Sequence, residues 1–186
     1  MKGTATFENV IELVHSITEG NTDEIIPLDD MEFESIRRMR IAGEPVMLTQ
    51  TCQQLLSNKL RVPYSYLSRC PDELQAENLQ YWLKQEKRKR DTLFCRFNGS
   101  ALRAVFTSNR YQVIDHMNVL SKMLEYGFKP EQEVQYALDD EMMMLKVPEY
   151  NRSFEIQPKD KLVPGISFLN SETGKVGFHI ISYVLR

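Results

Sequence analysis

The chain has 186 residues, 42% of them hydrophobic and 26% charged, with a formal net charge of -3 at pH 7. That length suits one domain with a sizeable core. The mild acidity excludes a global pull onto nucleic acid or an anionic membrane, so any such binding must come from a local patch.

No apolar run is long enough to span a bilayer, and the first residues, MKGTATFENV, contain no signal-peptide core. Three cysteines, Cys52, Cys70 and Cys95, lack C-x-x-C spacing and read as reduced thiols. The expectation is a soluble cytoplasmic protein with no membrane partner. Residues 6–20 predict a helix with Phe7, Val10, Ile11, Val14 and Ile17 on one stripe. Residues 21–30 are acidic and turn-rich and read as a connection, and 31–39 as an extended segment. Gly43-Glu44-Pro45 marks a turn before a short strand at 46–48.

Thr49 opens a second helix that buries Cys52, Leu55 and Leu56 and ends near Asn58. A short helix follows over 64–70, and Pro71 starts the longest one, reaching about residue 90. Leu74, Leu79, Trp82 and Leu83 are expected to form its apolar face, which puts Trp82 in the core rather than on a base-stacking surface. Its end is basic: Lys84, Lys87, Arg88, Lys89 and Arg90 either complement the helix dipole or contact phosphate.

Residues 92–97 and 100–106 are two apolar runs around Asn98-Gly99, the signal of a type I′ hairpin. That turn opposes Phe97 to Ser100, Arg96 to Ala101, Cys95 to Leu102 and Phe94 to Arg103. Arg96 and Arg103 then share one face and need an anionic partner, either internal (Asp115 or Glu172) or a ligand's phosphate or carboxylate. A polar loop with Ser108, Asn109, Arg110 and Tyr111 leads to Asp115, placed to cap a helix carrying Val119, Leu120, Met123 and Leu124. Beyond Gly127 the chain reads as β: a hairpin over 134–138 and 141–147, then strands at 162–169 and 176–185 around the turn Asn170-Ser171-Glu172-Thr173-Gly174. The expected fold is one α+β domain, with residues 1–90 mainly helical and 91–186 mainly antiparallel sheet. A strand running directly to Arg186 suggests a longer natural protein.

The segments LRVPYSYLSRCP, AENLQYWL, LRAVFTSNRYQVID, MMMLKVPE and PGISFLNSETG, in this order, run through most of the chain. Together they resemble the prokaryotic phage/plasmid-like protein family known as domain of unknown function 932, of which this chain looks like a C-terminally truncated member. The resemblance implies a setting in phages, prophages and conjugative elements, and it implies no established reaction. It carries the family's polar signature onto Asn78, Arg103, Ser108, Arg110, Tyr111, Asp115, Asn170, Ser171, Glu172 and Gly174.

Chemistry-bearing motifs are sparse. His15, His116 and His179 are far apart, and neither zinc spacing, a P-loop nor a dinucleotide fingerprint occurs. No metal is assigned and the cofactor is unknown, although Asp115, Asp139, Asp140 and Glu172 leave a carboxylate-metal nuclease open. Three functions are carried. The first is a nucleic-acid-binding module for DNA, single strands included. Its ligand contacts would be Arg96, Arg103, Ser108, Arg110, Tyr111, Asn170 and Ser171, beside the 84–90 basic run. The second is an enzyme on a phosphate-bearing substrate, with Asp115 or Glu172 as acid/base. The third is a factor that blocks a host defence by binding a host protein. A homo-oligomer stays open.

Overall fold

The computed structural model describes residues 1–88, 91–106, 113–139, 141–157 and 160–186. The chain is α+β. In order, its elements are β1 (Lys2–Thr6), α1 (Phe7–Thr18), β2 (Asn21–Pro27), β3 (Met31–Phe33), β4 (Arg38–Ile41), β5 (Glu44–Leu48), α2 (Gln50–Leu60), α3 (Tyr64–Leu67), α4 (Asp72–Lys87), β6 (Thr92–Asn98), β7 (Ala101–Phe106), α5 (His116–Glu125), β8 (Glu133–Leu138), β9 (Met143–Pro148), β10 (Phe154–Glu155), β11 (Lys161–Asn170) and β12 (His179–Leu185). They form two compact units: Glu19–Gln112, and a split unit of Met1–Thr18 with Val113–Arg186.

The Glu19–Gln112 unit holds a sheet in the order β2-β6-β7-β5-β4-β3, antiparallel except where β5 meets β7. Its core joins Met39, Cys52, Leu56, Leu67, Leu79, Cys95 and Leu102, all essentially inaccessible. Thr49 caps α2 as its sequence predicts, its hydroxyl accepting the Cys52 N–H at 3.3 Å. Two glutamines then tie α4 to the chain beside the outermost strand, β3. The side-chain oxygen of Gln80 accepts Phe33 N–H at 3.0 Å, and that of Gln75 accepts Ile36 N–H at 2.9 Å. These backbone groups would otherwise be buried without partners.

The hairpin exists with a different register from the one its Asn-Gly pair suggests. Asn98 pairs with Ala101, so the two-residue turn is Gly99-Ser100. Gly99 has φ +54°, as the first central position of a type II′ turn requires, and it is glycine that makes this inexpensive. A bulge between Arg96 and Phe97 then opposes Phe97 to Leu102 and Arg96 to Ala104.

In the split unit the order is β1-β8-β9-β11-β10, with β12 also paired to β11. Residues 165–169 of β11 pair with both β9 and β12, so those two strands flank it on opposite sides. Helices α1 and α5 cover one face, burying Phe7, Val10, Val14, Leu120 and Met123 against Val134, Met143, Leu145 and Phe168. The N-terminal ammonium donates to the Leu138 carbonyl, and Leu138 N–H returns a bond to Met1 at 2.7 Å. A mainly helical N-terminal half is therefore not what the chain builds: β1 to β5 lie within it. Both β1 and β2 are edge strands with polar sequences, KGTAT and NTDEIIP, which carry little apolar alternation to mark them.

Candidate nucleic-acid interface

Arg96 lies on β6 directly opposite Asp23 of β2, and its Nε and Nη2 donate to the two carboxylate oxygens at 2.7 Å each. Arg103 Nη1 donates to Asn21 Oδ1, also at 2.7 Å, and Asn98 Nδ2 donates to the same oxygen at 3.0 Å. Both arginines are buried. The partners seen for them, Asp23 and Asn21, come from β2, the segment whose sequence reads as a connection. These guanidinium groups frame the sheet rather than face solvent.

The polar turn 170–174 is also an internal structure. Glu172 is 1% exposed, and its Oε1 accepts the His116 N–H at 2.8 Å, capping the first turn of α5 from another element. Asp115 stands at the N-cap position but makes no side-chain cap bond; its carboxylate accepts from Asn118 Nδ2 at 3.3 Å. Asn170 Nδ2 donates to Ile114 O at 2.7 Å and lies 2.9 Å from His116 Nδ1. Ser171 Oγ donates to Glu141 O at 2.7 Å and accepts the Lys175 N–H at 3.1 Å. Together these residues hold a turn and a helix start. Ser108, Arg110, Tyr111, Lys89, Arg90 and Asp140 lie outside the described residues. Among the described residues no three His, Cys, Asp or Glu side chains group so as to hold a metal ion.

The surface with open chemistry is on α3 and α4. Burial of Leu79 and Leu83, with Gln75, fixes which side of α4 faces the core. Successive residues turn by about 100°. Leu74, Asn78, Tyr81, Gln85 and Arg88 therefore share the opposite side, with Trp82 on one flank and Lys84 on the other. Tyr81 is 58% exposed and Trp82 41%, and their rings meet edge to face with centroids 5.3 Å apart. Trp82 is thus a surface residue, and so is Leu74; neither belongs to the core face expected from the sequence. Tyr66 of α3 extends the aromatic surface. Its phenol is pushed up from its ordinary pKa chiefly by a hydrogen bond with Cys70, with Asn78 partly offsetting this.

Charge is divided along α4. Asp72 and Glu73 occupy the first turn, and Lys84 and Lys87 the last, followed by Arg88. Lys87 pairs with Asp29 at 2.5 Å, whereas exposed Lys84 and Arg88 hold no ion pair among the described residues. The result is an exposed aromatic pair followed within two helical turns by cations. The helical wheel contained this signal, because the stripe through Tyr81 and Arg88 lies opposite Leu79 and Leu83. Among known proteins, no family model matches the chain, nor does any curated protein or solved structure. No helix is long and apolar enough to cross a membrane among the described residues.

Proposed function

We propose that this chain is a nucleic-acid-binding accessory protein of phage/plasmid-like type, acting in the cytoplasm, and that it takes a single strand along the α3–α4 surface. The observation that supports this is the exposed Tyr81–Trp82 pair beside Lys84 and Arg88. A base offers a π-face to an exposed ring, and stacking contributes about 1–3 kcal/mol per base. Bases in a duplex are already stacked, so an aromatic surface favours unpaired strands. Lys84 and Arg88 meet the phosphates, while the acidic first turn of α4 confines contact to the C-terminal half of the helix. In this reading the hairpin arginines Arg96 and Arg103 hold the frame. The enzymatic alternative would draw Glu172 away from the N-terminus of α5.

Trp82 is the only tryptophan, so its fluorescence reports stacking directly. Titration with oligothymidine should quench it, more weakly as salt rises from about 50 to 200 mM. Tyr81→Ala should weaken binding by a factor of about 5 to 150, the equivalent of one lost stack. Lys84→Ala with Arg88→Ala should flatten the salt dependence. No quenching and no binding at low salt would overturn the proposal.

A further inference from the structure

The basic end of α4 has a second side. Gln80, Leu83, Lys84 and Lys87 recur every three or four residues and so form one stripe along the helix. With the short helical turn Leu28–Asp30 this stripe bounds a cleft of about 140 Å³, lined by Leu28, Asp29, Gln80, Leu83, Lys84 and Lys87. Its walls are fixed. Leu28 and Leu83 are buried, and Gln80 is committed to the chain beside it, accepting Phe33 N–H and donating to Met31 O at 3.3 Å.

Among the described residues that line the cleft, two are cations and one is an acid. Lys87 Nζ lies 2.5 Å from each carboxylate oxygen of Asp29. The pair holds the fold only weakly. The Lys87 and Asp29 side chains are 46% and 69% exposed, and an ion pair so open to water and salt adds little stability. Lys84 belongs to both surfaces: it lines the cleft and flanks the side of α4 that carries Tyr81 and Arg88.

We propose that this cleft seats a phosphate of the bound strand, and that Asp29 occupies Lys87 until the strand displaces it. The inference rests on the strand-binding reading of the α3–α4 surface and adds a regulator to it. A phosphodiester has the charge of a carboxylate and two free oxygens, so it can replace Asp29 on Lys87 and contact Lys84 as well. Asp29 is then an internal competitor. Each strand that binds must release this carboxylate to solvent, where it takes up a cation and cancels the counterion that the phosphate gives up.

The test is the anisotropy of labelled oligothymidine titrated with the 186-residue chain over a range of salt concentrations. Asp29→Asn should tighten binding about two- to fivefold, the weight of one exposed ion pair. It should also steepen the fall of log K with log salt by about 0.7, the share of one phosphate on a single strand. Adding Lys87→Ala to Asp29→Asn should remove both effects. Asp30→Asn, which neutralises the neighbouring exposed acid outside the cleft, should produce neither. Binding by the natural chain that is indifferent to Asp29→Asn overturns the competitor and leaves the strand-binding surface standing. A gain that survives Lys87→Ala, or that Asp30→Asn reproduces, is a general charge effect and also overturns it. Binding by neither the natural chain nor Asp29→Asn at low salt overturns the surface and the competitor together.

Discussion

Arg96 and Asp23 face each other across β6 and β2 and share two hydrogen bonds of 2.7 Å, one to each carboxylate oxygen. The guanidinium is 3% exposed and the carboxylate 33%. Removing the acid would leave a buried cation short of a partner, a change worth about 3–5 kcal/mol for a fully buried pair. Because Asp23 keeps a third of its surface in water, Asp23→Ala is expected to destabilise the Glu19–Gln112 unit by less, about 2–3 kcal/mol. Urea unfolding followed by Trp82 fluorescence measures this, and Asp23→Ala with Arg96→Met should recover much of the loss. Equal losses in the single and double variants would show that the pair is not coupled.

Glu172 and His116 give a second expectation. Glu172→Ala removes the acceptor of a buried backbone N–H, so the split unit should lose about 1–3 kcal/mol. Glu172→Gln keeps an oxygen at the same place and should lose less. Thermal denaturation of the three proteins decides it; indistinguishable melting would remove the cap from the account of α5.

The thiols should separate by reactivity. Burial pushes the Cys95 thiol up to about 12, with Lys59 lowering it in part, and burial likewise raises Cys52. A disulfide reagent at about pH 8 should therefore titrate Cys70 in the native protein and all three thiols in denaturant. The linkage has a defined sign. The folded state holds the Cys95 proton more tightly than the unfolded one, so its contribution is fully present below the ordinary value of 9.0 and is lost as pH rises toward about 12. Stability measured against pH should fall in that alkaline window, and Cys95→Ala should flatten the fall.

Gly165 marks a close approach on β11. A Cβ there would come within 2.5 Å of the Tyr183 ring and 2.7 Å of the Val147 carbonyl oxygen. The ring can shift, but the backbone oxygen belongs to the β9 ladder. Gly165→Ala should destabilise the split unit by about 1–3 kcal/mol, the range for overpacking. Adding Tyr183→Ala should return only part of it, and complete recovery would place the whole conflict in the ring.

What could be read from the sequence follows from where the information is stored. Thr49 before α2, the apolar stripe of α1 and the β8–β9 hairpin rest on local chemistry, and local chemistry is legible. Strand β2 is not legible: NTDEIIP is half turn formers and acids, and what holds it in the sheet is tertiary, Asp23 accepting from Arg96 on the adjacent β6 and Asn21 from Arg103 on β7, one strand further on. The register of the hairpin is hidden for a related reason, since the bulge beside Arg96 is invisible in an alternating pattern. On α4, Leu74 and Trp82 read as core because they are apolar, yet both are exposed. The buried place went to Gln75, whose amide oxygen satisfies Ile36 N–H. A polar residue with a tertiary partner had displaced an apolar one, and that decision exposes the aromatic surface.

The split of one unit around the other has a consequence for how the protein is made. Met1 and Leu138 exchange hydrogen bonds although they are 137 positions apart. During synthesis β1 leaves the ribosome well before its neighbour β8, which is translated only after all of Glu19–Gln112. The enclosed unit, continuous in sequence, can fold while the chain is still growing. Until β8 emerges, β1 is without the strand it pairs with, because β8 is its one neighbour in the sheet among the described residues.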